Sequence, residues 1–369
     1  MSIPSEGHRY YTGQYWNDFE SVRRHLDQRA TGDPNVTWFE DLAGQGRRFE
    51  RALILNCGTG WVERELHRVG IVGEVVGIDI APHLLDDARR GAADVGLGAT
   101  YVEMDVNSRP LPDGPFDLVL NHAAGHHISH INRVFHQVAE RLAPDGMFVS
   151  WDYVGPHRNQ YCAAIWEAAW EVNRTLPDNL QQIMSYPHLE TMLADDPTEA
   201  VHSELVLETI ERHFAIEHLA RLGGGIGYLL LTHNEAIHAA PLDETEPWLN
   251  HIMTADASFT DANPQHTLFA YVIARKLPEG RDPADLGRWQ ADEDEREHSA
   301  AANGGEYGPR TWLAELTYGS ERPEISLGRA ISARWPGATK RYNRLVEWLI
   351  GVTRRVRSAR GRRRTSRKP

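Results

Sequence analysis

The hydrophobic and polar positions of this chain form short apolar runs separated by segments with helical spacing. The runs ALILN, EVVGIDI, ATYVEMDV, FDLVLNH and GMFVSWDYV begin at Ala52, Glu74, Ala99, Phe116 and Gly146. Segments such as VERELHRVG and INRVFHQVAERLAP separate them. Strands that alternate with helices of this length are typical of βαβ units, so the pattern predicts an α/β fold with a parallel sheet.

The segments around these strands predict additions to the core. Residues 1–44 carry aromatic and apolar residues at helical spacing, which indicates a helical N-terminal cap. Residues 158–212 are predicted to be a mostly helical insertion above the carboxyl edge of the sheet, where ligands bind. Two closing strands, HFAIEHLARL and HTLFAYVIARKL, complete a domain over residues 45–276. Residues 277–311 are polar, acidic and turn-rich, so we predict a linker of low order before the extension at 312–369.

Composition narrows the class of protein. No apolar run approaches the roughly 18 to 20 residues of a membrane span, and the N-terminus lacks the pattern of a secretory signal. We therefore expect a cytoplasmic protein. Cys57 and Cys162 are the only cysteines in the sequence, so neither a disulfide framework nor a zinc knuckle is indicated. No ligand spacing demands a metal ion, and none is assigned.

The C-terminal extension has a charge opposite to that of the whole chain. Residues 340–369 hold twelve Lys or Arg against one Glu, whereas the whole chain has a net charge of -13. Leu345, Trp348, Leu349 and Val352 share one face of a predicted amphipathic helix just before the arginine-rich end. Three interpretations stay open: peripheral contact with an anionic membrane, nonspecific nucleic-acid binding, or a solvated tail. The apolar face favours the inner surface of a membrane, and no specific nucleic-acid partner is expected.

The strongest chemical signal is the segment ALILNCGTG, in which an apolar strand runs into a glycine-containing turn and then a helix. Glycines at Gly58 and Gly60 let the backbone approach a ligand closely. The next strand ends at Asp79, about twenty residues on, where a carboxylate can accept both ribose hydroxyls of a nucleoside. The third strand ends in MDV, which places Asp105 near an adenine position.

This layout resembles the class I methyltransferases that depend on S-adenosylmethionine (SAM), over roughly residues 45–276. The resemblance implies a Rossmann-like doubly wound sheet, with SAM as cofactor across the strand ends. CGTG is too short for the GxGxxG of a dinucleotide dehydrogenase, and the turn in RLAPDGMFV also fits the methyltransferase pattern. The positions that the resemblance assigns to SAM are Asn56, Cys57, Gly58, Thr59, Gly60, Asp79, Ile80, Met104, Asp105, Val106 and Asn121.

The first motif departs from the family pattern at two positions. Ile54 stands where an acidic residue is usual, and Asn56 replaces the first glycine. Asn56 still tolerates left-handed backbone angles better than most residues, so the turn itself is compatible with the sequence. The departure nevertheless leaves a non-catalytic, SAM-binding scaffold protein as an alternative.

An alcohol acceptor of a methyl group must lose a proton, so a base is expected beside the cofactor. His126 and His127 follow the fourth strand, where this fold opens toward the acceptor, and histidine titrates near neutral pH. We favour His127 over His126 as the base; the alternative is that one of them packs against or caps the next helix. Asp152 and Tyr153, after the fifth strand, are predicted to orient the acceptor or to shape the following turn.

Peripheral segments narrow the resemblance to bacterial methyltransferases of cell-surface polysaccharide and glycan biosynthesis. They are YYTGQYW, CGTGWVER, HHI, DYVGPHRNQ and DPTEAVHS before GGGIGYLL. The resemblance implies that the methyl acceptor is a hydroxyl of a sugar or glycan, which in some of these pathways is linked to a lipid. The alternative acceptor is a small natural product or a lipid. It also implies that Tyr11, Tyr15 and Trp16 close over the cofactor or acceptor, unless they are core aromatics.

Two further groups of residues have both a functional and a structural interpretation. Trp166, Trp170 and Trp248 suit stacking on sugar rings but suit helix packing equally well. Glu199 and Ser203 lie four apart on a predicted helix, so they share a face that either lines the cleft or caps the helix.

Overall fold

The computed structural model describes residues 14–184, 186–187, 192–193, 196–277 and 283–303. In this part of the chain a seven-stranded sheet has the order β3-β2-β1-β4-β5-β7-β6. The first five strands are parallel, and β7 is antiparallel to both β5 and β6. The strands are β1 (Phe49–Leu55), β2 (Val72–Asp79), β3 (Gly98–Glu103), β4 (Phe116–His122), β5 (Leu142–Tyr153), β6 (Phe214–Gly223) and β7 (Phe269–Lys276).

Helices cover both faces of the sheet. Successive residues of β4 point to opposite faces, so Leu118 and Leu120 belong to one buried cluster and Val119 to the other. The helices are α1 (Glu20–Thr31), α2 (Trp38–Gly44), α3 (Trp61–Arg68), α4 (Pro82–Val95), α5 (Ile131–Arg141), α6 (Ala163–Asn173), α7 (Val206–His213), α8 (Gly227–Leu231), α9 (Glu235–Ala239), α10 (Leu242–Ala262) and α11 (Pro283–Asn303). The predicted Rossmann-like, doubly wound α/β architecture is confirmed.

The order of the strands fixes where a ligand binds. The connections from β1 run outward to β2 and β3, whereas β4 and β5 lie on the other side of β1. In such sheets the crevice forms at the carboxyl ends of the strands where the strand order reverses, here between β1 and β4. The glycine turn after β1 and the two histidines after β4 therefore lie at the same edge.

The predicted insertion departs from a helix at the loop that carries Glu199. It contains α6 and α7, but residues 197–202 form turns and bends instead of the predicted helix through Glu199 and Ser203. Ala200 has a φ of 52°, which no right-handed helix contains. The reason is tertiary: this loop donates and accepts backbone hydrogen bonds with His126 and Arg158, and those bonds replace the helical ones.

The prediction of low order over residues 277–311 is wrong for the part that forms α11. Trp289 on this helix is buried and contacts the ring of His213, with 5.3 Å between the ring centroids. Glu293 is also buried and accepts hydrogen bonds from the backbone and side-chain nitrogens of Asn132. Two anchoring residues in a polar segment were enough to dock a helix that its composition did not suggest.

None of the helices in the described ranges is both long and apolar enough to cross a membrane. The predictions for Tyr11 and for the amphipathic, arginine-rich tail concern residues that lie outside the described part of the chain.

Candidate active site

The turn between β1 and α3 depends on three residues with left-handed backbone angles. Asn56, Gly58 and Gly60 have φ values of 45°, 55° and 71°. A Cβ atom on Gly60 would lie 2.8 Å from the Tyr101 hydroxyl and 2.9 Å from the Ala88 Cβ, so only glycine fits there. A Cβ on Gly58 would meet nothing within 4 Å, so this backbone faces open space that a ligand can enter.

Asp79 ends β2 directly beside this turn. Its carboxylate accepts hydrogen bonds from the backbone N–H groups of Gly58 and Ala81, both at 2.8 Å. A carboxylate has about four acceptor positions, so it retains capacity for ribose hydroxyls. Ile80 follows with 49% of its surface exposed, an unusual exposure for a large apolar side chain. An open backbone, an acceptor carboxylate and an exposed apolar surface together fit a nucleoside.

The other residues that the resemblance assigns to the cofactor have contacts within the protein that do not by themselves indicate a ligand. Met104 and Val106 are buried, whereas Asp105 between them accepts a hydrogen bond from the Asn107 backbone at 2.8 Å. Burial raises the pKa of the Cys57 thiol, so this residue stays neutral within the turn. Thr59 accepts a hydrogen bond from Arg64 through its backbone oxygen. These contacts define the local turn and leave the cofactor role of each residue a prediction.

A buried hydrogen-bond network fixes the first histidine. His126 Nδ1 lies 2.6 Å from Asp152 Oδ1, and a carboxylate only accepts, so Nδ1 carries the proton. Asp152 is 1% exposed and also accepts from the Gly125 and Tyr153 backbones and from Asn121 Nδ2. Burial lowers the pKa of His126, but the attraction and hydrogen bond of Asp152 outweigh it and raise that pKa to about 9.

This network defines the surroundings of two predicted site residues. Asp152 and Asn121 are both buried and directed at protein groups: Asn121 Nδ2 bonds Ser150 and Asp152, and Asp152 holds His126. Asp152 thus positions His126, and its predicted role toward the acceptor stays a prediction. Asn121 supports that position from β4.

His127 and Glu199 lie beside His126. The two imidazole rings have centroids 4.1 Å apart, and Glu199 Oε2 lies 3.9 Å from His126 Nε2 and 3.8 Å from His127 Nε2. His127 Nδ1 faces the Thr198 backbone oxygen at 3.2 Å, so Nδ1 carries the proton and Nε2 has the free lone pair. Burial and the neighbouring His126 lower the pKa of His127. We call His126, His127 and Glu199 the triad.

The insertion delivers Glu199 to the two histidines. Arg158 donates to the backbone oxygens of Pro197 and Glu199, at 2.6 and 3.1 Å. The Val201 backbone N–H donates to the His126 oxygen at 2.9 Å. The sequence indicates Glu199 as a candidate but not Arg158 or Thr198, although these residues lie in the segments DYVGPHRNQ and DPTEAVHS.

One hydrogen bond joins the glycine turn to the segment that carries the triad. Asn56 Nδ2 donates to the Ala124 backbone oxygen at 3.3 Å, two residues before His126. A glycine at this position would lack that donor. The departure from the usual motif therefore preserves the left-handed turn and adds a link between the two halves of the site.

Aromatic rings surround the triad on the side of β5. Tyr153 is buried with its hydroxyl 3.5 Å from the Pro156 oxygen, and burial raises its pKa well above the usual range. Its ring lies 6.0 Å from His126 and 6.3 Å from Tyr228, between centroids. Trp16 is buried against Phe269, and Trp166 and Trp170 are buried in α6, so packing is their observed role.

Comparison with known proteins finds a family match in the first half of the chain. Residues 53–150 match the family described as "Methyltransferase domain". Demethylmenaquinone methyltransferase of Thermus thermophilus is 32% identical over 112 residues, which are 30% of this chain and 51% of that protein. Malonyl-acyl-carrier-protein O-methyltransferase of Enterobacter lignolyticus is 32% identical over 102 residues, 27% of this chain and 38% of that protein.

A third relative is named as a hydroxylase and not as a methyltransferase. Arginine-hydroxylase NDUFAF5 of Rattus norvegicus, a mitochondrial protein, is 30% identical over 103 residues, 28% of this chain and 29% of that protein. The chain thus spans about half the length of these curated relatives or less. The family match at residues 53–150 spans the glycine turn, Asp79, Asp105 and the two histidines. Residues 53–150 are therefore similar to methyltransferase domains, and S-adenosylmethionine is the cofactor.

Proposed function

We propose that this protein transfers the methyl group of SAM to a hydroxyl group of a sugar or glycan. The observation that carries the proposal is the link between the glycine turn and the triad, through Asn56 and Ala124. A nucleoside-binding edge and a cluster of polar groups suited to proton removal are thereby held side by side. Polysaccharide synthesis in a bacterial cytoplasm, implied by the sequence resemblance, is the setting that we propose.

Bound SAM supplies a methyl group that is already activated on a sulfonium, so the protein's task is to orient the acceptor and remove its proton. Asp79 and the open backbone at Gly58 hold the cofactor side. On the acceptor side, His127 is the proposed proton acceptor. His126 is the alternative, but its raised pKa means that it must first release the proton on Nε2. Tyr153 remains neutral because it is buried, so it serves as a hydrogen-bond donor or packing surface and not as a base.

The acceptor class is supported by the surroundings of the triad. Tyr153, Tyr161 and Tyr228 bring aromatic rings with polar tips to this side of the site, and such rings pack on apolar faces while their hydroxyls form hydrogen bonds. A sugar offers both kinds of surface. One relative, from Enterobacter lignolyticus, is named as an O-methyltransferase, which is consistent with an oxygen acceptor.

A small natural product or lipid is the second candidate acceptor. Another relative is named as a demethylmenaquinone methyltransferase. A quinone ring could also pack against the aromatic side chains on this side of the site. For this candidate the arginine-rich C-terminal segment has a clear use, since a basic, amphipathic helix would hold the enzyme at an anionic membrane surface. We retain that membrane contact as a proposal for either acceptor.

The experiment is a transfer assay with SAM labelled on the methyl group and a panel of mono- and oligosaccharides, lipid-linked sugars and quinones. We expect label in a sugar fraction, at an oxygen atom identified by mass spectrometry. The variant His126→Ala/His127→Ala should lose turnover by at least about 100-fold while still binding SAM, since proton removal contributes about 100- to 10,000-fold. His67→Ala, a histidine of α3 outside the triad, is the control and should be unaffected.

The outcomes separate the candidates. Label in quinones alone would replace the sugar by the second candidate. Binding of SAM without label in any acceptor would favour the non-catalytic scaffold protein suggested by Ile54 and Asn56. Normal turnover of the double variant would show that neither histidine removes the proton.

A further inference from the structure

We infer that His126 Nε2, His127 Nε2 and Glu199 Oε2 together bind one divalent transition-metal ion. One ligand atom of each of these three residues lies within 4.8 Å of the other two. Two imidazoles and one carboxylate on one side of an ion, with open positions opposite, are a recurrent ligand set for zinc and for non-haem iron. The sequence spacing did not indicate this site, because Glu199 reaches the histidines only through the fold of the insertion.

The distances within the triad fit a shared ion better than direct hydrogen bonds. Glu199 Oε2 lies 3.9 and 3.8 Å from the two Nε2 atoms, which is too far for a hydrogen bond. Ligand atoms bonded to one metal at about 2.1 Å lie about 3.0 Å apart at right angles and about 3.4 Å apart in a tetrahedron. The two distances to Glu199 would therefore have to contract by about half an ångström to reach tetrahedral coordination.

The groups around the triad hold the Nδ1 atom of each histidine and leave the Nε2 atoms for the metal ion. His126 Nδ1 is bonded to Asp152, and His127 Nδ1 faces the Thr198 backbone oxygen. Metal-binding histidines usually donate their other ring N–H to a carboxylate or a backbone carbonyl, which fixes the ring and leaves one nitrogen for the ion. Both kinds of partner are present here, one for each ring. The Thr198 turn is itself fixed, because Asp196 accepts from the Thr198 N–H and hydroxyl at 2.9 and 2.7 Å.

Exposure of the side chains indicates an open coordination site. His126 is 10% exposed, whereas His127 and Glu199 are 31% and 21% exposed. One side of the triad is thus closed by protein and the other faces the cleft. Structural metal sites are closed by four protein ligands, whereas sites that act on a substrate keep a position free. The mixed nitrogen and oxygen ligands favour Zn²⁺, Mn²⁺, Fe²⁺ or Co²⁺ over Mg²⁺ and Ca²⁺, which prefer oxygen alone.

Such an ion would deepen the proposed function by lowering the pKa of an acceptor hydroxyl near it, so that the hydroxyl proton passes to solvent water. In that state the imidazoles would be ligands, and neither would be the base. This catalytic role rests on the proposed function, but binding of the ion does not. The two are tested separately, since binding is measured without SAM and without an acceptor.

The experiment is a titration of full-length protein, purified without a histidine tag and stripped of metal, with Co²⁺ followed by its visible absorption. We expect one equivalent to bind, and Zn²⁺ to displace it. His127→Ala and Glu199→Gln should each weaken Co²⁺ binding at least tenfold, whereas His67→Ala should not. Glu199→Gln keeps the size of the side chain, and its thermal unfolding, compared with that of the wild type, checks that it folds.

Two results would overturn the inference. One is the absence of Co²⁺ binding by the folded wild-type protein at concentrations up to about 1 mM. The other is one-equivalent binding that is equally tight in His127→Ala and Glu199→Gln, which would place the ion elsewhere among the 19 histidines of the chain.

Discussion

Glu63 is a carboxylic acid enclosed by the cofactor-binding turn. It lies on α3, is fully buried, and neither of its carboxylate oxygens has a hydrogen-bond partner in the described part of the chain. Burial raises its pKa from 4.5 to about 7, with Arg64 and Tyr101 opposing the rise and the Asp79 charge adding to it. At neutral pH the folded protein therefore carries a partly protonated acid beneath the turn.

The sign of the effect on stability follows from the raised pKa. Below pH 4.5 the carboxyl is neutral in both states, and between pH 4.5 and 7 only the unfolded chain ionises, so folding stability falls as pH rises. Glu63→Gln removes this titration. We expect the stability of the variant relative to the wild type to increase by about 2 kcal/mol between pH 5 and pH 8. Urea unfolding at both pH values measures it, and a difference that is constant with pH would contradict the assignment.

The docking of α11 is the clearest case of an element stabilised by a few contacts. Trp289 packs under the Arg212 guanidinium, whose carbon lies 5.1 Å from the ring centroid, and against His213. Glu293 accepts from Asn132 at the start of α5, and Arg212 donates to the Asn132 side chain at 3.2 Å. These contacts tie the residues after the sheet to α5 and α7.

Trp289→Ala should release α11 without unfolding the domain. Replacing a buried tryptophan by alanine typically costs about 3–5 kcal/mol, and here the loss falls on the docking of a single helix. We expect cleavage by trypsin after Arg288 to become at least tenfold faster while the thermal transition of the sheet changes little. Asp292→Ala, an exposed position of the same helix, is the matched control. Equal cleavage rates in both variants and the wild type would mean that Trp289 does not hold the helix.

The proposed cofactor site joins parts of the molecule that are far apart along the chain. The turn after β1, Asp79 after β2 and the histidine segment after β4 are all connected by hydrogen bonds at one edge of the sheet. A ligand that bridges them stabilises the whole domain, because it binds the folded chain and not the unfolded one.

S-adenosylhomocysteine should therefore raise the free energy of unfolding by about 2.7 kcal/mol at about 100 times its Kd. Asp79→Ala should remove most of this increase, and Asp79→Asn, which keeps one acceptor oxygen, should retain part of it. Asp94→Ala, an exposed residue of α4, should show the full effect. Thermal unfolding with and without ligand measures the stabilisation of each variant by the ligand. If Asp79→Ala is stabilised as much as the wild type, Asp79 is not part of the cofactor site.

The strands, the turn after β1 and the carboxylate after β2 were predictable from the sequence. The apolar runs that predict the strands and the glycines that predict the turn each extend over a few consecutive residues. These elements are therefore specified by local sequence. The same reasoning placed His126 and His127 at the carboxyl edge of the sheet, because strand ends in a parallel sheet share one edge.

What the tertiary structure alone decided are the contacts between distant residues. Glu199 lies more than seventy positions after His126 along the chain, and only the loop fixed by Arg158 brings it within 3.9 Å of the imidazole. Burial of Glu63 and docking of α11 through Trp289 and Glu293 are likewise invisible in a local pattern. Helices and strands follow from residue preferences over a few positions, whereas the triad depends on how the ends of long loops meet, and that is set by the packing of the whole domain.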